Sequence, residues 1–174
     1  MAENAEILLS TRKFRVERRL QMTPDGRTHE REVVIHPGAV TILPVLPDGR
    51  ICLIRNYRVA VGETLIELPA GTLDPGEDPA EAARRELIEE TGYRAEKIEP
   101  LCEFFMSPGI LNERMVVFVA TGLQPGETAL EAGEQIEPLL VTLPEALELV
   151  HSGEIRDAKS IAALLFYERF SHDL

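Results

Sequence analysis

The chain has 174 residues, 44% hydrophobic and 28% charged, an ordinary globular composition with enough length to bury a self-sufficient core. A formal net charge of −12 with no basic patch to offset it argues against a nucleic-acid partner. It leaves room for a small anionic substrate, because bound metal and a few local arginines can invert the field inside a cleft. Apolar runs such as Met115 to Ala120 are far too short to cross a bilayer, and the N-terminus has no signal-like apolar core. No membrane attachment is expected, and the cytoplasm is the expected location.

Residues 7–36 carry two extended stretches, KFRVERRLQM and THEREVVIH, around the turn residues Thr23-Pro24-Asp25-Gly26-Arg27. They predict a hairpin with one wet face. Pro37-Gly38 punctuates the chain, and AVTILPVL and RICLIRNYR follow as strands about Pro47-Asp48-Gly49. Thr64 to Gly71 reads as one strand feeding a glycine turn. Asp78 to Thr91 then reads as a helix, capped by Asp78, opened by Pro79 and stopped by Gly92.

Beyond the helix come a strand near Lys97–Phe105, a loop at 107–113 (SPGILNE) and a strand MVVFVATGL. Gly126 to Glu137 is polar, glycine-containing and without either period, so a mobile loop is expected. A strand PLLVT leads to a helix from Pro144, stopped by Gly153, and an amphipathic helix covers roughly Lys159 to Phe170. Cys52 and Cys102 read as core thiols rather than a disulfide. Strands around interspersed helices imply α+β or a mixed α/β sandwich.

The chemistry concentrates in GTLDPGEDPAEAARRELIEETGY, Gly71 to Tyr93. At about 100° per residue, Ala80, Ala83, Leu87 and Thr91 share a helix face. Glu86, Glu89 and Glu90 crowd one edge of it. Like charges at this spacing repel by about 0.2–0.5 kcal/mol per pair, and more where apolar neighbours remove screening. A divalent cation relieves that cost, and Mg²⁺ or Mn²⁺ prefers such oxygen ligands. An acidic helix face tied by pairs such as Arg85 with Glu89 would be the ordinary meaning of such a run. The order of residues decides otherwise. Gly71, Glu77, Arg85-Glu86-Leu87, Glu89-Glu90 and Gly92-Tyr93 match the Nudix hydrolase signature at every defined position, and the chain resembles that superfamily.

The resemblance implies an α/β fold, a Nudix-type α/β/α sandwich with a mixed sheet at 38–174. It adds a small antiparallel β subdomain at 1–37 that in the subfamily helps form a homodimer. It implies Glu86, Glu89, Glu90 and the Ala70 carbonyl as metal ligands for Mg²⁺ or Mn²⁺. Gly71, Glu77, Arg85 and Gly92 are implied as structural, Arg85 orienting the glutamates. Pro108, sixteen residues past Gly92, and the Tyr57-Arg58 pair resemble ADP-ribose pyrophosphatases. Arg55, Tyr57, Arg58 and Pro108 are therefore the expected substrate-binding residues. A glutamate in the 126–137 loop is implied to complete the metal site or activate water. Register favours Glu134, with Glu131 next, and Glu89 joins them as catalytic. The implied reaction is hydrolysis of ADP-ribose to AMP and ribose 5-phosphate. The alternatives are GDP-mannose or another nucleotide sugar, and a catalytically silent ligand-sensing module.

Overall fold

The computed structural model describes residues 5–130 and 135–170. Ten strands and three helices are ordered β1 (Glu6–Ser10), β2 (Arg15–Met22), β3 (Thr28–Ile35), β4 (Ala39–Pro44), β5 (Ile51–Arg58), β6 (Glu63–Glu67), β7 (Ala70–Thr72), α1 (Pro79–Thr91), β8 (Lys97–Phe105), β9 (Arg114–Thr121), β10 (Ile136–Val141), α2 (Leu143–His151) and α3 (Ala158–Phe170). They form three sheets, β1-β2-β3, β10-β5-β6 and β7-β4-β9-β8. The β4–β9 pair is parallel, and its neighbours β7 and β8 are antiparallel. The mixed α/β sandwich is as the sequence implied.

Strand alternation sorts the core into two halves. Ala39 and Leu43 of β4, with Met115, Val117 and Val119 of β9, pack with Ile155, Ala163 and Leu164 on the α2 and α3 side. Val40 and Ile42, with Val116, Phe118 and Ala120, pack with Ala82, Ala83 and Leu87 of α1 on the other side. Both faces are covered by helices, which is why these strands read as continuous apolar runs.

α1 begins and ends where its caps require. Asp78 accepts from the amides of Ala80 (2.9 Å) and Glu81 (3.4 Å). Gly92 closes the helix at φ 75, with its amide on the Ile88 carbonyl at 2.8 Å.

Three segments differ from expectation. The N-terminal unit has three strands rather than a hairpin. Glu6–Ser10 pairs with β2 through a tight corner in which the Thr11 hydroxyl donates to the Phe14 carbonyl at 2.7 Å and accepts its amide at 3.0 Å. EILLS has no alternation to mark it, and all five residues are exposed. Thr64–Gly71 is not one strand, since Leu68-Pro69 carries the chain from β6 to β7 in another sheet. Proline has no amide for a ladder, while its carbonyl still takes the Ile42 amide at 2.9 Å. Finally, Ile136 and Glu137 belong to β10, where they pair with Asn56 and Arg55, rather than to the preceding loop.

Candidate active site

The crossing from β6 to β7 brings the chain directly beneath α1. Glu90 is 4% exposed and its Oε2 accepts the Ala70 amide at 2.9 Å. Burial pushes its carboxyl up to about 8 despite that amide, and the charge of Glu86 adds to the rise. Glu86 reaches over the same turn. A methyl on Gly71 would lie 1.8 Å from Glu86 Cδ. Gly71 does not adopt positive φ, unlike Gly92. Its value here is empty space for a carboxylate rather than backbone freedom.

Arg85 ties the remaining acids together. Its Nε and Nη2 donate to the two oxygens of Glu77, each at 2.9 Å, and Nη1 donates to Glu86 at 2.6 Å and Glu89 at 3.1 Å. Glu77 also accepts the Asp74 amide at 2.9 Å, so one guanidinium spans the turn and the helix. Arg85 holds the Glu77 carboxyl below the usual carboxylate range, and the guanidinium is raised in turn, Glu77 being the main cause. The structural parts expected of Glu77 and Arg85 are consistent with this clamp.

Among the described residues, no three carboxylate, imidazole or thiolate groups already close around one point. The donor set nevertheless suits a hard divalent cation. Glu86 and Glu90 converge on Ala70 and Gly71 at the start of β7, both offer carboxylate oxygens, and the buried carboxylate is destabilised in its charged form. Glu131 and Glu134, expected to complete the site, lie outside the described residues. Glu137 is described and exposed, opposite Arg55.

The expected substrate residues are not brought to one place. Alternation along β5 puts Arg55 and Tyr57 on one face and Arg58 on the other. Arg55 and Tyr57 line a cavity of about 490 Å³ with Thr64, Leu130, Gln135, Ile136 and Glu137. Arg58 instead forms a bidentate pair with Glu67, Nε to Oε1 at 2.7 Å and Nη2 to Oε2 at 3.1 Å, within electrostatic reach of Glu90. Burial works against its charge, but Glu67 outweighs burial and raises its pKa. Pro108 lies in a separate, mainly apolar cavity of about 230 Å³ with Val33, Phe105 and Ile110. That loop is stitched to β3 by Val34 amide to Ile110 carbonyl (2.8 Å) and Asn112 amide to Val34 carbonyl (3.1 Å).

Glu67 is the residue that sequence reasoning missed. The available signal was one acid inside TLIELPAG, a stretch otherwise apolar enough to be core.

The NUDIX domain profile matches residues 35–164. An ADP-ribose pyrophosphatase of Bacillus subtilis (strain 168) is 42% identical over 147 residues, covering 83% of this chain and 80% of the relative. A GDP-mannose pyrophosphatase of Salmonella typhimurium (strain LT2) is 37% identical over 154 residues, with the same coverage of each. A crystal structure of an ADP compounds hydrolase superposes with a TM-score of 0.86 at 28% identity, covering 98% of this chain and 92% of that one.

Proposed function

The chain belongs to the NUDIX family of hydrolases, and we propose that it splits the diphosphate bond of a nucleoside diphosphate sugar, ADP-ribose first among them, to AMP and ribose 5-phosphate. The observation that carries the chemistry is the pair Glu86 and Glu90 converging on Ala70 and Gly71 at the start of β7, Glu90 buried and, among the described residues, accepting one backbone amide. Resemblance to the ADP-ribose pyrophosphatase supports the substrate.

Glu86, Glu89, Glu90 and the Ala70 carbonyl would hold a divalent cation, Mg²⁺ or Mn²⁺. When bound, such an ion neutralises diphosphate charge and makes a water more acidic. The chain's own residues do the rest. Arg85 keeps Glu86 and Glu89 oriented by charge-assisted hydrogen bonds. Arg58 contacts the diphosphate from the Glu90 side of β5. Tyr57, 48% exposed, offers an aromatic face to a base in a protein without tryptophan, with Arg55 beside it. Glu134, or Glu131 after it, takes the proton of the attacking water, and the bond to the leaving phosphate breaks.

The N-terminal sheet exposes Ile7, Leu9, Leu20 and Met22, each at least half accessible, which supports a homodimer formed through this unit. Two unbridged cysteines suit a reducing cytoplasm, and no helix among the described residues is long and apolar enough to cross a membrane.

GDP-mannose is the second reading, favoured by the 37% identical relative. A panel of ADP-ribose, GDP-mannose, UDP-glucose, NADH and diadenosine polyphosphates, read by phosphatase-coupled phosphate release, separates the two. ADP-ribose should lead. A kcat/KM for GDP-mannose tenfold or more above it, about 1.4 kcal/mol, reverses the assignment.

A further inference from the structure

Lys159 is 92 residues from its partner Glu67 in sequence, yet the two form a buried ion pair. The ammonium also donates to Asp157 Oδ2 at 2.8 Å. That same oxygen accepts the Ser160 amide at 3.0 Å, which fixes the first turn of α3. Ser160 Oγ then accepts the Leu68 amide at 2.7 Å. The start of α3 is thereby fastened to Glu67-Leu68, where the chain leaves β6 for the Leu68-Pro69 crossing.

Compensating the charge of Glu67 does not by itself call for Lys159. Arg58 already supplies one cation in a bidentate pair, and a second buried cation adds its own desolvation cost. What Lys159 adds is direction. It shares Oε2 with Arg58 Nη2, so it helps hold the plane of the Glu67 carboxylate, and through two parallel hydrogen bonds that plane sets the guanidinium's plane. Arg58 Nη1 stays outside the pair, and the Arg58 side chain is 40% exposed. With Asp157, the four charges sum to zero. The network can therefore hold an arginine rigidly at the site without adding to the negative field there.

We infer that Lys159 is a positioning residue for diphosphate binding, acting through Glu67 on Arg58, so that the first turn of α3 is part of the substrate site. The inference rests on Arg58 contacting the diphosphate.

Steady-state kinetics on ADP-ribose at saturating Mg²⁺, together with calorimetric binding of ADP in EDTA, test it on the full chain. R58A should raise KM and weaken ADP binding by about tenfold, as loss of one charge-assisted contact does. K159M should produce about threefold to tenfold of the same effect with kcat within about twofold, and K159R should restore most of it. In the R58A background, K159M should add nothing further. A folded K159M with unchanged KM and ADP affinity, or one whose effect is equally large without Arg58, overturns the inference and leaves the Arg58 contact standing. A silent R58A removes that contact, and the inference with it. If K159M does not fold, E67Q/K159M removes both buried charges together. Normal KM and ADP affinity in that variant overturn the inference as well.

Discussion

Glu67 and Glu90 are both buried carboxylates, and the turn between β6 and β7 puts them on either side of one short crossing. Glu67 meets a bidentate arginine and a lysine. Among the described residues Glu90 accepts one backbone amide and forms no ion pair. Burial pushes its carboxyl up to about 8, with repulsion from Glu86 added and the unbonded attraction of Arg58 too weak to reverse it. A chain that can neutralise one acid so fully leaves its neighbour unneutralised only at a cost. Balanced charge here builds scaffold, and unbalanced charge is where the proposed divalent cation would complete the structure.

The largest effect should fall on the unbalanced side. Glu90→Gln or Glu86→Gln should lower kcat by at least about a hundredfold while circular dichroism stays unchanged, if metal-centred charge stabilisation is worth several kcal/mol. Near-normal turnover in a folded Glu90→Gln would erase the distinction between the two acids. Glu134→Gln should lower kcat by about tenfold or more with little change in KM, and Glu131→Gln and Glu137→Gln should do less. If Glu131→Gln is the severe one, the loop register is off by three residues.

Gly71→Ala sharpens the contrast because it crowds Glu86 without touching Glu67. The backbone there is open to alanine, so the protein should fold, while a methyl 1.8 Å from Glu86 Cδ displaces the carboxylate. Activity should fall about tenfold or more, with the Mg²⁺ requirement shifted to higher concentration. Gly92→Ala should behave oppositely, costing about 1–2 kcal/mol of stability, since its φ of 75 and the Gly126 carbonyl 2.6 Å from the added carbon both resist a side chain. A stable, inactive Gly92→Ala would contradict that assignment.

The smallest effect is one of pH. Glu90 titrates higher folded than unfolded, so between about 4.5 and 8 the native state holds a proton that the unfolded chain has released. In EDTA its contribution to stability should fall as pH rises through that window, and Mg²⁺ should recover more Tm at pH 8 than at pH 6. Equal recovery at both values would show that the cation does not relieve Glu90.

The balanced and unbalanced groups also differ in how far they were legible in sequence. The signature helix, its Asp78 and Gly92 caps and its acids are local, and local spacing exposes them. The crossing at Leu68-Pro69 looked like continuous strand because TLIELPAG is largely apolar on both sides of it, and only the sheet assignment divides β6 from β7. Glu67 was hidden for a different reason. Arg58 is nine residues away on the paired strand, its second partner Lys159 is 92 residues away, and no periodicity reports a pair that only tertiary packing creates. Gly71 was legible as a structural position, but its reason was not, since steric room for Glu86 leaves no trace in backbone preference. The division of Arg55 and Tyr57 from Arg58 follows from simple strand alternation, which a resemblance to an aromatic–arginine pair had overshadowed.

The parallel pairing of β4 with β9 has a consequence for the order of events during folding. Val40 and Val116 become neighbours only after more than seventy intervening residues, α1 included, have been looped out. Closing such a loop precedes the contacts that reward it, so assembly should be slow compared with formation of α1 itself. Ala70 and Gly71 pair with β4, an interior strand of the same sheet, so the surface on which Glu86 and Glu90 converge is finished only when that sheet is. A divalent ion should accordingly slow unfolding while leaving the refolding rate nearly unchanged, acting as a latch on the finished molecule rather than a nucleus for it.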